Sequence, residues 1–282
     1  WDAIPFLTIH LMCLLAFLTG IRWEWVILAI GSYYLRMVAV TAGYHRYFSH
    51  RSYKTSRLFQ FLLAFLAMTS AQKGVLWWAA HHRHHHKYSD QEEDIHSPLQ
   101  RGFWFSHVGW ILSAHSMPTD MSLVKDFRQY PEICFLNRFY FIPPLVYALL
   151  IYSLWGFPGL IWGFFISTTA LYHCTFFINS LTHMIGRVRY KSNDGSKNSF
   201  FLAILCCGEG WHNNHHYYQL AVKQGWFWWE VDLSYYILSF LSWLGIVWDL
   251  KMPPKHIKDR TIAVERASRM GHTPPAHSTE PS

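Results

Sequence analysis

Residues 139–182 read FYFIPPLVYALLIYSLWGFPGLIWGFFISTTALYHCTFFINSLT, and these 44 consecutive positions contain no Asp, Glu, Lys or Arg. A helix needs about 20 apolar residues to cross a hydrocarbon layer of about 30 Å. Gly156-Phe157-Pro158-Gly159, in the middle of the stretch, is a strong helix breaker. The stretch therefore predicts two membrane-spanning helices, at about 139–157 and 160–180, that form a hairpin.

A second pair of apolar stretches lies near the start of the chain. Residues 4–20 contain no formal charge, residues 25–43 contain only Arg36, and four residues separate the two stretches. The two pairs together predict an all-α integral membrane protein with four transmembrane helices in two hairpins. The alternative is a buried helix pair in a soluble protein, but such a core does not need 44 residues without a charge.

The composition agrees with a membrane protein. Of the 282 residues, 51% are hydrophobic and 15% are charged, whereas ordinary globular domains have about 25% charged residues. The many aromatic residues exclude a disordered chain. Two further apolar stretches are less decisive, because 58–71 is short enough for an interfacial or re-entrant segment and 231–248 contains Asp232.

The basic residues predict how the spans are oriented. Arg22 is the one basic residue in the two short hairpin turns. Other basic residues follow the first hairpin, at Arg46, Arg51, Lys54 and Arg57, or lie near the end of the chain, at Lys251, Lys255, Lys258 and Arg260. By the positive-inside rule, segments 44–138 and 183–268 and the C-terminus are cytoplasmic. We expect one membrane-embedded domain over residues 1–268, a disordered tail at 269–282 and a natural N-terminus upstream of Trp1.

Three short clusters of histidines read HRYFSH at 45–50, HHRHHH at 81–86 and HNNHH at 212–216. Residues spaced i, i+3 and i+4 share one helix face, so the third cluster can present three imidazoles to one point. The second cluster has this spacing in two registers, and the spacing does not choose between them. One register is His82, His85 and His86, and the other is His81, His84 and His85.

The number of imidazoles favours two metal ions over one, because eight candidate ligands exceed the four of a typical zinc site. The eight are His45, His50, His212, His215 and His216 with three from the second cluster, which are His82, His85 and His86 in one register and His81, His84 and His85 in the other. His45 and His50 are about 140° apart around an ideal α-helix, so a regular helix cannot turn both toward one ion. Asn179 and His183, at the end of the last span, add an amide that binds directly or through water and a ninth imidazole. Imidazole suits iron, copper, nickel and zinc, so the ligand type does not choose the metal.

These clusters, in this order and beside four spans, resemble the histidine boxes of the membrane-bound fatty acid desaturases, in particular the Δ9 acyl desaturases. The resemblance covers about residues 20–250. Its other motifs are TAG at 41–43, RSYK at 51–54, RGFWFSHVGW at 101–110 and GEGW at 208–211. The family's second box, HRxHH, implies that His82, His85 and His86 are ligands and that His81 and His84 are not.

The resemblance also implies the chemistry. The family's Asn-x-x-x-His pattern matches Asn179 and His183, the metals are two iron ions, and residues 231–248 form a cytosolic helix. The expected reaction uses O2 and introduces a cis double bond, at Δ9, into a saturated C16 or C18 acyl chain. Glu209 is a candidate for orienting an imidazole.

The substrate carrier and the electron donor follow less directly. Trp77-Trp78-Ala79-Ala80 stands before the second box, where acyl-CoA members of the family have basic and polar residues, so an acyl lipid or a carrier protein is an alternative to acyl-CoA. The sequence has no haem or iron–sulfur motif. We therefore expect a separate donor, a ferredoxin or a cytochrome b5 with its reductase, and no nucleic acid partner.

A dry tunnel is expected to hold the acyl chain. Tyr33 and Met37 precede His45 by 12 and 8 residues, about 18 and 12 Å along a helix, and are candidates for the closed end, with ordinary helix packing as the alternative. Two other functions stay open. A histidine-rich diiron hydroxylase would give an alcohol, and a metal transporter would carry ionisable residues inside the membrane, whereas these ligands lie beyond the helix ends.

Overall fold

The computed structural model describes residues 3–116 and 118–257, so the predicted tail at 269–282 and the end of the predicted domain lie outside the described residues. The described part is mostly helical. Its α-helices are α1 (Ala3–Met12), α2 (Ala16–Thr19), α3 (Trp23–Ala39), α4 (Arg57–Met68), α5 (Val75–Tyr88), α6 (Pro98–Arg101), α7 (Trp110–Leu112), α8 (Lys125–Arg128), α9 (Pro131–Arg138), α10 (Ile142–Gly159), α11 (Ser167–Ser180), α12 (Phe200–Leu205), α13 (His212–Tyr217) and α14 (Leu233–Trp243).

Two continuous helical stretches are long and apolar enough to cross a membrane. Trp23–Ser49 has 27 residues with a mean hydropathy of 1.5, and Ile142–His183 has 42 residues with a mean hydropathy of 1.7. Both coincide with predicted spans. Ala3–Thr19 coincides with another predicted span and is apolar but shorter. A mostly helical fold and two candidate spans are thus confirmed, while the four-span topology stays a prediction.

The longer stretch folds back at the predicted breaker. Gly156 has φ 63°, a left-handed conformation that glycine adopts without strain, and it interrupts α10. A Cβ atom at Gly163 would lie 3.1 Å from the side chains of Ile151 and Leu28. Because Ile151 is on α10 and Leu28 is on α3, the segment after the break packs against both helices.

The shorter apolar helices are too short to cross a bilayer. The 12 residues of α4 and the 11 residues of α14 extend about 18 and 16 Å, whereas a hydrocarbon layer is about 30 Å thick. Asp232 caps α14, because its carboxylate accepts a hydrogen bond from the backbone N–H of Tyr235 at 3.0 Å. α14 is therefore a helix beside the candidate spans.

A π-helix, Val40–Ser49, continues α3, and all of its residues are buried. It packs against α4 and α5, with Tyr44, Phe48 and Met68 in the main hydrophobic core. The strands β1 (Lys54–Thr55) and β2 (Val247–Trp248) pair antiparallel, with Lys54 opposite Trp248. The region after the first histidine cluster is thereby joined to the region after α14.

Arg36 points into the protein. Its guanidinium is buried and donates to the hydroxyl groups of Ser167 and Thr168 on α11 and to the backbone carbonyl of Thr69 after α4. A charge inside an apolar span is costly unless it is hydrogen-bonded. Arg36 thus joins α3 to two neighbouring segments.

Candidate metal centre

Five predicted histidines surround one point. Their ligand nitrogens all lie within 4.8 Å of one another. We call them the first group, and its members are His45, His50, His82, His86 and His215. They come from three places in the fold, namely the end of the π-helix Val40–Ser49, α5 and α13.

The π-helix explains how His45 and His50 reach the same point. A π-helix has i to i+5 hydrogen bonds and is common at functional sites. The backbone N–H of His50 donates to the carbonyl of His45 at 3.2 Å, and the two ring centroids are 4.8 Å apart. An ideal α-helix would place the side chains of His45 and His50 about 140° apart around its axis. The wider turn of the π-helix brings the two side chains to the same side.

Four further histidines form the second group. Its members, all buried and also within 4.8 Å of one another, are His85, His183, His212 and His216. α5 and α13 contribute to both groups, because each presents histidines in two directions. The rings of His86 and His216 are 4.4 Å apart, so the two groups are neighbours. All nine predicted imidazoles are therefore in one of two adjacent clusters.

The nitrogen spacing fits metal ligands. A metal–imidazole bond is about 2.1 Å, so neighbouring ligands of an octahedral ion are about 3.0 Å apart. The separations between Nε2 atoms are 2.9 Å for His50–His82 and His82–His86, 3.0 Å for His86–His215 and His45–His215, and 3.1 Å for His183–His212. These distances match edges of such a coordination sphere.

Carboxylates hold the outer nitrogen of four of these rings. The Nδ1 distances are 2.5 Å for His45–Glu209, 2.9 Å for His85–Asp94, 2.7 Å for His183–Asp90 and 2.6 Å for His216–Asp194. A proton on Nδ1 leaves the lone pair of Nε2 directed at the group. The buried Nε2 of His216 has no hydrogen-bond partner in the described part of the chain. A cation in each group would satisfy these lone pairs, so the residues fit two metal ions.

The other five histidines are held neutral by burial. Burial lowers the pKa of each well below its ordinary value, and neighbouring histidines lower it further, for His50, His82, His86, His212 and His215. Neutral imidazole is the form that binds a metal. Burial raises the pKa of Asp90, but the hydrogen bonds from His183, Ser97 and the backbone N–H of Gly195, together with the charge interaction with His183, outweigh it, so that the pKa is about 2. Asp90 is therefore ionised at neutral pH.

Buried side chains fix the first and third clusters in place. Arg46 donates to Glu209 at 3.1 Å and to Asp232 at 2.9 Å, and so holds the carboxylate that contacts His45. In the third cluster, the Asn213 side chain accepts from the backbone N–H of Tyr190 at 2.8 Å. These contacts explain why polar residues lie between the ligand histidines.

The remaining predicted residues lie outside the two groups. Nδ1 of His81 bonds the carbonyl of Trp77 at 2.8 Å, and the ring of His84 packs on Tyr88. Tyr33 donates its hydroxyl to the carbonyl of Leu205 at 2.7 Å, and Met37 is buried in the main core. The assignment of Tyr33 and Met37 to the closed end of a tunnel stays a prediction.

Sequence reasoning missed three of the four carboxylates and one histidine. Asp90 and Asp94 follow the second cluster, and Asp194 lies in the loop between α11 and α12. His96 is buried, and its ring nitrogen lies within 4.8 Å of the ligand atoms of His85 and Asp94. The acidic run DQEED at 90–94, directly after a histidine cluster, was the available signal.

A cavity lies against the first group. It has a volume of about 100 Å³ and is partly open to the surface. Trp78, Trp110 and Tyr172 form much of its wall, and His82 and Asn179 also line it. Asn179 thus lies at the cavity, with an imidazole of the first group in the same wall.

The fold and the site define a mostly helical protein that has apolar stretches long enough to cross a membrane and two adjacent histidine groups, which fit metal ions, beside an apolar cavity. The family model described as fatty acid desaturase matches residues 23–244. The chain belongs to the fatty acid desaturase family, and the predicted family is confirmed.

Similar proteins agree with this assignment. An sn-1 stearoyl-lipid 9-desaturase of Synechocystis is 38% identical, over 90% of this chain and 81% of the relative. A chloroplastic palmitoyl-monogalactosyldiacylglycerol delta-7 desaturase of Arabidopsis thaliana is 34% identical, over 92% of this chain and 72% of the relative. An acyl-CoA 5-desaturase of Anemone leveillei is 33% identical, over 87% and 77%. The chain is therefore an oxidoreductase that desaturates acyl chains, as predicted.

Proposed function

We propose that the protein introduces a cis double bond at Δ9 of a saturated C16 or C18 acyl chain, with O2 as co-substrate and two iron ions held by the two histidine groups. The observation that carries this proposal is the aromatic cavity that reaches His82. An acyl chain in that cavity would have its methylenes beside the first group. The stearoyl-lipid 9-desaturase similarity supports the position.

The reaction balances with an external reductant. Two neighbouring methylenes lose one hydrogen atom each, and one O2 becomes two H2O, which requires two further electrons and two protons. The iron pair, when bound, supplies the oxidising power for an unactivated C–H bond. We propose a separate electron donor, a ferredoxin or a cytochrome b5 with its reductase, which the net charge of +7 would attract if the donor is acidic.

The chain's own residues bind, orient and exclude water. The nine imidazoles would hold the iron ions, and Asn179 would bind one of them directly or through water. Glu209 and the three aspartates orient the rings that they contact. The tryptophan walls keep water away and fix the acyl chain, because a misplacement of about 1 Å can cost about 100-fold in rate.

We propose that the fold spans the membrane four times, in two hairpins, with both histidine groups on the cytoplasmic side. The two long apolar stretches support this topology. Trp23–Ser49 contains His45 near its end and Ile142–His183 ends at His183. Both stretches therefore end at the same centre, as two spans running in the same direction would.

We propose that the acyl chain is carried by a membrane lipid. Lys73 is the one Lys or Arg among the residues that line the described cavity, whereas CoA carries several phosphate charges that need basic partners. An acyl-CoA substrate is the alternative that the experiment must distinguish.

Expression in a desaturase-deficient cell, followed by gas chromatography of its fatty acids, tests the proposal. We expect Δ9-unsaturated C16 or C18 chains in the lipid fraction, and none with the inactive control His82→Ala. An alcohol in place of an alkene would identify a hydroxylase. Products confined to acyl-CoA would overturn the lipid carrier, and no new product at all would overturn the proposed activity.

A further inference from the structure

Three histidines outside the metal centre form a hydrogen-bonded row. Nε2 of His10 on α1 is 3.1 Å from Nε2 of His173 on α11, and Nδ1 of His173 is 3.0 Å from Nε2 of His107. Each ring uses both nitrogens. Nδ1 of His10 bonds the carbonyl of Phe6 at 2.7 Å, and Nδ1 of His107 lies 3.2 Å from the hydroxyl of Ser180.

The row is a line, unlike the two metal groups. The nitrogens of His173 point in opposite directions, one to each neighbour, so the three rings share no common point for an ion. The row ends on oxygen acceptors at both sides, because the Ser180 hydroxyl donates to the carbonyl of Phe176 at 2.8 Å. The whole line therefore contains five hydrogen-bond contacts in sequence.

A count of hydrogens shows that the neutral row is incomplete. Five contacts need five N–H or O–H hydrogens, but three neutral imidazoles and one hydroxyl supply four. Burial, with His173 adding to it, lowers the pKa of His107 to about 4. The hydrogen-bond and ring partners of the row among the described residues include no carboxylate that would favour a charged imidazole. A row in which all three imidazoles are neutral therefore lacks one hydrogen.

We infer that the missing hydrogen falls at α1, in the contact between His10 and His173. His107 and Ser180 are buried, whereas His10 and His173 are only half-buried. Phe6 O accepts from Nδ1 of His10, so Nε2 of His10 presents a lone pair to His173. If each of the other four contacts has its hydrogen, Nε2 of His173 also presents a lone pair to His10.

The same helix closes the cavity. Pro5 and Phe6 on α1 line it, together with Tyr172 and Phe176 on α11, and the rings of Phe6 and Tyr172 are 5.7 Å apart. The opposite face of α1 is exposed and apolar. It carries Ile4, Leu7 and Leu11. α1 thus separates the cavity from the apolar surroundings of the protein.

We propose that the row His10–His173–His107 positions α1 against the cavity, and that its missing hydrogen makes α1 the wall that opens to admit an acyl chain from the bilayer. This inference rests on the proposed function, because it gives the cavity a lipid-facing entrance. The three histidines are positioning residues, since they do not touch the metal groups.

Two substitutions at one position change the hydrogen count in opposite directions. His10→Gln gives a neutral amide with two N–H hydrogens, which can donate to Nε2 of His173 and complete the row. His10→Phe keeps a ring of similar size and removes the contact. His256→Gln, at an exposed histidine outside the row and the centre, is the matched control.

The opening of α1 can be measured at the cavity. Thr175, which lines it, is replaced by Cys in each variant, and the metal-loaded protein in lipid nanodiscs is treated with a membrane-soluble maleimide. Peptide mass spectrometry distinguishes position 175 from the five natural cysteines. We expect labelling two- to tenfold slower with His10→Gln and faster with His10→Phe, about the effect of one net hydrogen bond.

Equal labelling rates in all three variants would overturn the inference, as would slower labelling with His10→Phe. The labelling needs no turnover, so it is independent of the proposed activity. In chains that keep Thr175, we expect the metal content of His10→Phe to stay unchanged. A loss of metal with His10→Phe would contradict a positioning role at α1.

Discussion

The metal centre and the row His10–His173–His107 both consist of histidines, but they use the imidazole ring in two different ways. In the second group, Asp90, Asp94 and Asp194 hold the outer nitrogens of three imidazoles, and the inner nitrogens converge. In the row, each imidazole bonds another imidazole, and its hydrogen-bond partners among the described residues include no carboxylate. The difference teaches that a carboxylate on Nδ1 fixes which nitrogen of a buried imidazole is free to bind a metal, whereas the hydrogens in a row of imidazoles without carboxylates can be distributed in more than one way.

The largest effect is expected from removing a ligand of the first group. His86→Ala deletes an Nε2 that lies 2.9 Å from that of His82 and 3.0 Å from that of His215. We expect lower iron content in the purified protein and no unsaturated product. His84→Ala, two residues earlier in the same helix but outside both groups, should keep iron and activity. If His86→Ala kept normal iron content and product, the first group would not be part of the mechanism.

A smaller loss is expected when only a carboxylate changes. Asp194→Asn keeps the shape of the side chain that contacts His216 at 2.6 Å but removes its charge. Partners of this kind contribute about 10- to 100-fold to metal affinity. We expect a loss in that range in a competitive chelator titration, with His216 still present. The exposed Asp120→Asn should leave the affinity unchanged, and an unchanged affinity in Asp194→Asn would break the distinction between the metal centre and the row.

Most of the fold could be predicted from the apolar stretches of the chain. The charge-free stretch at 139–182 and the breaker at Gly156 are local features, so the sequence places the long helices and their turn. Helix geometry beyond the ideal could not be predicted. The π-helix at Val40–Ser49 depends on packing against α4 and α5, and it determines how His45 and His50 meet.

The candidate ligands of the second and third clusters could be predicted because the spacing i, i+3 and i+4 occurs within each of these short segments. The resemblance to a family chose the register of the second cluster, which spacing alone left open. The distribution of ligands between two groups could not be predicted, since α5 and α13 each serve both. Asp194 was missed because it is far from the histidine clusters in sequence, and only the folded chain places it on His216. Asp90 and Asp94 directly follow the second cluster, but their sequence position alone does not show which ring each one contacts.

The smallest expected effect concerns the direction in which the acyl chain runs. The predicted tunnel follows α3 to Tyr33, whereas the described cavity lies between α1, α5 and α11 and Tyr33 does not line it. If the chain ends at Tyr33, Tyr33→Ala will shift the preferred chain length, measured by gas chromatography of supplied C14 to C20 chains. Tyr33→Phe keeps the ring and loses the hydroxyl contact with Leu205, so it should cost about 1 kcal/mol of stability and leave the product profile unchanged. An unchanged profile in Tyr33→Ala would assign Tyr33 to packing and leave the cavity beside α1 as the path of the acyl chain.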